Sequence, residues 1–357
     1  MKFSKVIFII FGAAIIAACT DDAPPKRDFT EVYSPKYARG FDVVCRGTDT
    51  LLRIFSPFQG QKQSAREFSL ETPARRIVCM SSSHVAYLDR LDAVERVVGV
   101  SGVRFLSTPR IDRSKVREVG YDSNLNYELI TALRPDVVLL YGITGENSSL
   151  SAKLDELGIR YAYLGEHAEV TPLGKSEWLV AMGYLCGLEE KAVAEFGAIA
   201  ERYEQLRSVA AECVEHPTVM LNAPYQDVWY VPSDDSYMVA LVADAGGKYA
   251  CAGDSSHMSR PIDIETAYTK VMEADVWLNT NQMRSLKELQ TAHPRFADTP
   301  TVRRGRVYNN VARQNSAGGS DFWESGAVCA DVVLSDMIEI LHPELLEHEL
   351  YYYLRLQ

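Results

Sequence analysis

From Arg76 onward the apolar positions fall into two repeating patterns. Short unbroken runs, Ile77–Met80, Val97–Val100, Val137–Tyr141 and Tyr161–Leu164, have the length of buried strands. Between them lie stretches with helical spacing, His84–Leu91 and Leu150–Leu157, the second stopped by Gly158. Ser81-Ser82-Ser83 supplies hydroxyls to cap the first helix. After Pro217 the alternation resumes, with strands predicted at Val219–Leu221, Trp229–Val231, Val276–Leu278 and Arg306–Tyr308. Helices are predicted at Tyr237–Ala245, ended by Gly246-Gly247, and at Val328–Leu341, ahead of His342-Pro343. Strands alternating with helices predict an α/β protein with parallel sheets and right-handed crossovers.

Between these halves, Lys175 to Glu212 keeps helical periodicity and contains no proline. Gly183, Gly187 and Gly197 lower propensity without ending the pattern, so one long or once-broken helix is expected. The halves also echo each other. Glu128 opens a helix that leads to Pro135-Asp136 and the run Val137–Leu140, and Glu265 opens one that leads to Ala274-Asp275 and Val276–Leu278. Matching points on either side of a helical strut predict two lobes of related topology with a ligand cleft between them. Ahead of the lobes, Phe41–Cys45 and Thr50–Phe55 flank Arg46-Gly47-Thr48-Asp49, which predicts a hairpin.

At the start of the chain, Lys2 and Lys5 precede the apolar run Val6–Ala18. That run falls short of the ~20 residues a spanning helix needs and has the layout of a secretory signal. Ile16-Ala17-Ala18-Cys19 resembles the lipobox of bacterial lipoproteins, which implies lipidation at Cys19, a membrane anchor through that lipid, and a place in the cell envelope. Thr20–Arg27, with two acids and two prolines, reads as a tether. The organisation expected is a signal at 1–18, a tether at 19–40, a hairpin extension at 41–73, an N-lobe at 74–170, a connecting helix at 171–214 and a C-lobe at 215–357. Net charge is −11, or −13 once the two lysines of the signal are gone. An acidic body without a basic cluster argues against nucleic acid as a partner. Six cysteines remain beside Cys19, none at C-x-x-C spacing, and Cys79 and Cys186 sit in apolar contexts that favour buried free thiols.

Arg76-Ile-Val-Cys-Met-Ser, Val97-Val-Gly-Val, Val119-Gly and Glu128-Leu-Ile-Thr-Ala-Leu-Arg-Pro-Asp136-Val-Val-Leu-Leu resemble the helical-backbone class of ABC-importer binding proteins. The hairpin and the stretch Gly318–Gly326 look like a Bacteroidetes-type branch of it. The resemblance implies two Rossmann-like lobes joined by a long rigid helix, with siderophore-bound iron, haem, vitamin B12 or a bare metal ion as the possible cargo. It also implies an ABC permease and ATPase as partners, docked through one glutamate per lobe at Glu128 and Glu265. Carboxylates on opposite lobes, each meeting arginine, would fix the orientation of a two-lobed protein on a two-subunit channel.

By the same resemblance the ligand site is built from loops at the strand carboxyl ends. Those loops carry Ser82, Ser83, Arg104, Tyr121, Tyr141, Tyr225, Tyr230, Arg260, Gln314 and Asn315. Tyr141 and Tyr230 match aromatic wall positions of the B12-binding members, but Val103-Arg104 and Ser259-Arg260 stand where other stacking aromatics belong. Two arginines suit an anionic iron chelate better than a corrinoid, because guanidinium pairs with carboxylate or catecholate oxygens. His84 and His167 lack H-x-x-H spacing or a His-rich loop, so no bare-metal site and no resident cofactor is expected. An exported hydrolase or a surface interaction module is the rival reading. Neither G-x-S-x-G, H-E-x-x-H, a P-loop nor G-x-G-x-x-G occurs to support catalysis.

Overall fold

Four antiparallel strands come first: β1 (Thr30–Tyr33), β2 (Phe41–Arg46), β3 (Asp49–Phe55) and β4 (Ala65–Ser69), paired in chain order. The computed structural model describes residues 29–58, 65–143, 145–226, 228–253 and 258–357, so the signal segment and Cys19 lie outside the described residues. The expected hairpin is therefore the centre of a larger sheet, and Thr30–Tyr33, assigned to the tether, is its edge strand. Its residues are mostly exposed, so no apolar alternation marked it. Two buried glutamates, Glu169 of the N-lobe and Glu177 of the helix after it, hold the chain that follows. The Glu177 carboxylate accepts the Tyr33 hydroxyl at 2.8 Å and the backbone N–H groups of Lys36, Tyr37 and Ala38 at 2.7–2.9 Å. Glu169 accepts Arg39 N–H at 2.9 Å, Gly40 N–H at 3.1 Å and the Trp178 indole N–H at 3.0 Å.

In the N-lobe, β5 (Ile77–Cys79), β6 (Val97–Val100), β7 (Arg117–Glu118), β8 (Val137–Leu140) and β9 (Tyr161–Tyr163) form a parallel sheet in the order β7-β6-β5-β8-β9. Helices α1 (Ser82–Arg90), α2 (Tyr127–Leu133) and α3 (Ser148–Glu156) make the crossovers. Strands β5 and β8 are buried throughout, as expected where helices cover both faces.

The expected strut is two helices, α4 (Pro172–Cys186) and α5 (Glu189–Ala210). Gly187 ends α4 at φ +64°, and Leu188 N–H returns to Gly183 O at 2.8 Å. This left-handed cap is cheap only for glycine, so Gly187 does punctuate the pattern. The α4 and α5 helices also touch where Gly183 lacks a side chain, since a Cβ there would lie 2.2 Å from that of Ala192.

The C-lobe contains β10 (Thr218–Leu221), β11 (Trp229–Val231), β12 (Lys248–Tyr249), β13 (Arg260–Ile262), β14 (Val276–Leu278), β15 (Val307–Asn309) and β16 (Leu354–Arg355). Its sheet runs β12-β10-β14-β15-β16, parallel but for β16, and β11 pairs with β13 as a separate ribbon. Helices α6 (Tyr237–Asp244), α7 (Ile264–Glu273), α8 (Leu286–Ala292), α9 (Pro300–Arg303) and α10 (Ala330–Leu341) complete it, with α5 packed along α10. The echo between the halves is structural. Asp136 accepts the Arg76 N–H beside β5 at 2.8 Å, and Asp275 accepts the Thr218 N–H of β10 at 2.8 Å. Their own N–H groups return to Arg76 O and Thr218 O at 2.7 and 2.8 Å.

Candidate ligand cleft

In each lobe the strand order reverses beside the first strand, at β5/β8 and at β10/β14. Crevices open at the carboxyl ends of strands at such points. Ser81–His84 leave β5 there, Tyr141 follows β8, and Asn222–Tyr225 leave β10. Asn222, Asn279 and Asn281, at the ends of β10 and β14, hold φ of +66°, +62° and +57°, a region asparagine tolerates better than most residues.

A polar cluster forms on the N-lobe side. Ser81 caps α1 and sits 2.8 Å from the Ser83 hydroxyl, which donates to Glu166 Oε1 at 2.8 Å. His84 Nε2 lies 3.4 Å from the same oxygen, and both side chains are essentially inaccessible. Burial pushes the Glu166 carboxyl up, but attraction to His84 and the Ser83 hydrogen bond outweigh it and hold it below the usual glutamate value. The His167 ring meets Tyr141 edge-on at 4.9 Å, and burial with the nearby Glu166 charge pushes the Tyr141 phenol up to about 12. Among the described residues, no three His, Cys, Asp or Glu side chains are placed to hold a metal ion.

Beside this cluster, Lys175 of α4, whose carbonyl accepts the Tyr87 hydroxyl of α1, reaches towards the C-lobe. Its Nζ lies 4.8 Å from the Tyr237 ring centroid and 5.9 Å from that of Trp323, which is half-exposed. Burial lowers the lysine pKa, with Glu166 opposing. Glu166, Lys175 and Tyr237 were missed by the sequence reading, and Trp323 was noted only within Gly318–Gly326. A lone lysine inside the apolar helix around Trp178 was the available signal.

The remaining candidates separate into two groups. Tyr230 and Arg260 lie on the β11–β13 ribbon, near Tyr225, with Tyr225 and Tyr230 70% and 50% exposed. Arg104, Gln314 and Asn315 lie at a seam between the lobes. Asn315 Nδ2 donates to the carbonyls of Arg104 and Leu106 at 3.2 and 3.1 Å. A Cβ on Gly319 would fall 1.8 Å from Phe105 O, so only glycine permits this approach. Glu324 completes the seam by accepting Ser107 N–H at 2.7 Å and Thr108 N–H at 2.6 Å. The Arg104 guanidinium stacks on Phe105 at 4.6 Å, and Tyr121 stands exposed nearby. Ser82, Ser83 and Tyr141 are thus gathered with the buried cluster, while Arg104 and Asn315 serve the seam.

Glu128 and Glu265 are exposed and occupy the same place, the second residue of α2 and of α7. Asn126 and Asp263 cap these helices by accepting from Leu129 and Thr266 N–H. Arg295 approaches Glu265 at 3.4 Å in an exposed pair, which screening makes weak. Cys45, Cys79, Cys186, Cys213, Cys251 and Cys329 are all free, and burial pushes the Cys186 thiol up to about 11.

The model of the periplasmic binding protein family matches residues 77–311. The chain belongs to that family. This binding protein is 27% identical over 289 residues to an uncharacterized lipoprotein of Methanocaldococcus jannaschii, covering 77% of this chain and 67% of the relative. Its fold is similar to an ABC transporter substrate-binding protein from Listeria monocytogenes, at TM-score 0.56 and 18% identity over 76% of this chain and all of that one. A periplasmic haem-binding protein from Pseudomonas aeruginosa is similar at TM-score 0.60 and 18% identity, over 78% and 97% of the two chains. The two-lobed α/β architecture is shared with both, and the family is one of binders, which removes the hydrolase reading.

Proposed function

We propose that this binding protein is the lipid-anchored receptor of an ABC importer and carries an iron chelate of siderophore or haem type in its cleft. One observation carries the ligand class: Lys175 set between Tyr237 and Trp323, in the same crevice as Tyr141 and His167. Aromatic faces supply apolar, shape-tolerant contact, and a desolvated ammonium supplies the charge that anionic chelate oxygens need. The similar fold of a haem-binding protein supports this reading, as does the lipoprotein relative for the anchor at Cys19. The matched positions of Glu128 and Glu265 support docking on a permease.

A thermal-shift panel of ferric siderophores, haem, cobalamin and cobinamide tests the ligand. A saturating ligand at a hundred times its Kd should stabilise the fold by ~2.7 kcal/mol. Stabilisation by cobalamin with none by any iron chelate or haem would replace the iron reading with the corrinoid one.

A further inference from the structure

We propose that the cavity between the N-terminal sheet and the turn at 165–170 is a second ligand site, for a small flat anion such as an aromatic carboxylate. The cavity measures about 490 Å³, within the range of roughly 300–1,000 Å³ for small-molecule sites. Phe55, Pro57 and Phe58 provide apolar walls, and Arg39 lines the same space. Arg39 makes no ion pair with any described residue, yet its backbone is fixed by the buried Glu169. One oxygen of Glu169 receives three N–H donors, and its charge attracts the Arg39 guanidinium without a direct ion pair. The guanidinium donates no hydrogen bond to any described residue, so its planar fork is open to a carboxylate ligand.

Two glycines shape this space against Trp178. A Cβ on Gly40 would lie 2.3 Å from the indole, and one on Gly165 would lie 3.3 Å from both the indole and Pro57. Six of the ten lining residues, Arg39, Gly40 and Phe55 to Phe58, precede the family-matched region at 77–311, and Gly165, Ala168, Glu169 and Val170 lie within it. The added sheet thus builds one side of the site and the N-lobe turn after β9 the other.

The cavity and the cleft share one wall. The turn at 165–168 gives its two end residues, Gly165 and Ala168, to the cavity, while Glu166 and His167 reach Ser83, His84 and Tyr141 in the cleft. Phe58 also packs edge-on against Tyr163 at 5.1 Å, and a Cβ on Gly142, next to Tyr141, would lie 2.9 Å from it. The anion could therefore be a separate molecule or a peripheral arm of the cleft ligand.

Calorimetric titration of the full-length mature protein with benzoate tests the site, with benzylamine and acetate as cationic and ringless controls. Benzoate should bind saturably and the controls should not. Arg39→Gln should weaken benzoate at least tenfold with no change in the melting temperature of the free protein, because the backbone N–H to Glu169 remains. Titration in the presence of haem separates the sources. Unchanged benzoate affinity marks an independent molecule and competition marks an arm of the cleft ligand, and both support an anion site here. The benzoate titration without haem tests the site by itself, so failure of the chelate reading would leave it standing, and the competition is read only where haem binds. A crystal with benzoate should show the carboxylate at Arg39 and the ring against Phe58. No benzoate binding at millimolar concentration, undiminished binding by Arg39→Gln, or benzoate found elsewhere would overturn the proposal.

Discussion

Glu324 of the C-lobe, with no accessible surface, accepts both the backbone N–H and the hydroxyl of Thr108 in the N-lobe. With Ser107 N–H on its second oxygen, one buried carboxylate ties the lobes at one edge of the cleft. Glu324→Ala should leave buried donors unpaired and destabilise the protein by ~2–4 kcal/mol. Glu324→Gln should cost less, since its carbonyl oxygen still accepts. Urea unfolding gives the loss, and amide exchange should quicken first at Ser107 and Thr108. A seam variant as stable as the parent would show that the lobes are held elsewhere.

The same carboxyl gives a pH dependence of known sign. Burial raises its pKa above the usual glutamate value, the hydrogen bonds from Thr108 and Ser107 oppose the rise, and Asp321 adds to it. The folded state therefore binds the proton more readily than the unfolded state. Stability from this group rises as pH falls from above its folded pKa towards its unfolded value. Melting curves across this range should show the parent gaining on Glu324→Gln as pH falls, and parallel curves would refute the assignment.

For docking, Glu128→Arg combined with Glu265→Arg should cut uptake strongly while leaving ligand affinity intact. Each single change should be milder, because it reverses one of two charge contacts at an interface where like charges cost several kcal/mol. Normal transport by the double variant would reduce both glutamates to acids favoured by a helix start.

In the cleft, Tyr141→Ala should weaken the bound chelate by ~1–3 kcal/mol, as removal of a central aromatic anchor does. Lys175→Met should weaken an anionic chelate far more than a neutral corrinoid. Titration of both variants with ferric siderophore, haem and cobalamin separates these effects. Equal losses for charged and neutral ligands would remove Lys175 from charge recognition.

At the start of the chain, Cys19→Ala should abolish lipid labelling and release the protein from the membrane fraction. Unchanged membrane association would end the lipoprotein reading.

The alternation of short apolar runs with amphipathic helices determined the parallel sheets of both lobes. It did so because a strand covered on both faces must be apolar throughout, as β5, β8 and β14 are. The paired Asp136 and Asp275 were also legible, since each stands at the start of a strand and holds its neighbour. Other features were decided only in three dimensions. Gly187 reads as one more weak helix residue until its left-handed cap turns α4 into α5. Thr30–Tyr33 carries no strand pattern because an exposed edge needs none, and its place is set by pairing with β2 and by Glu177, far along the chain. Glu166 and Lys175 stand far from Tyr237 and Glu324 in sequence, with no spacing that links them. Their chemistry arises because burial removes water and leaves each polar group only the partners that folding brings to it.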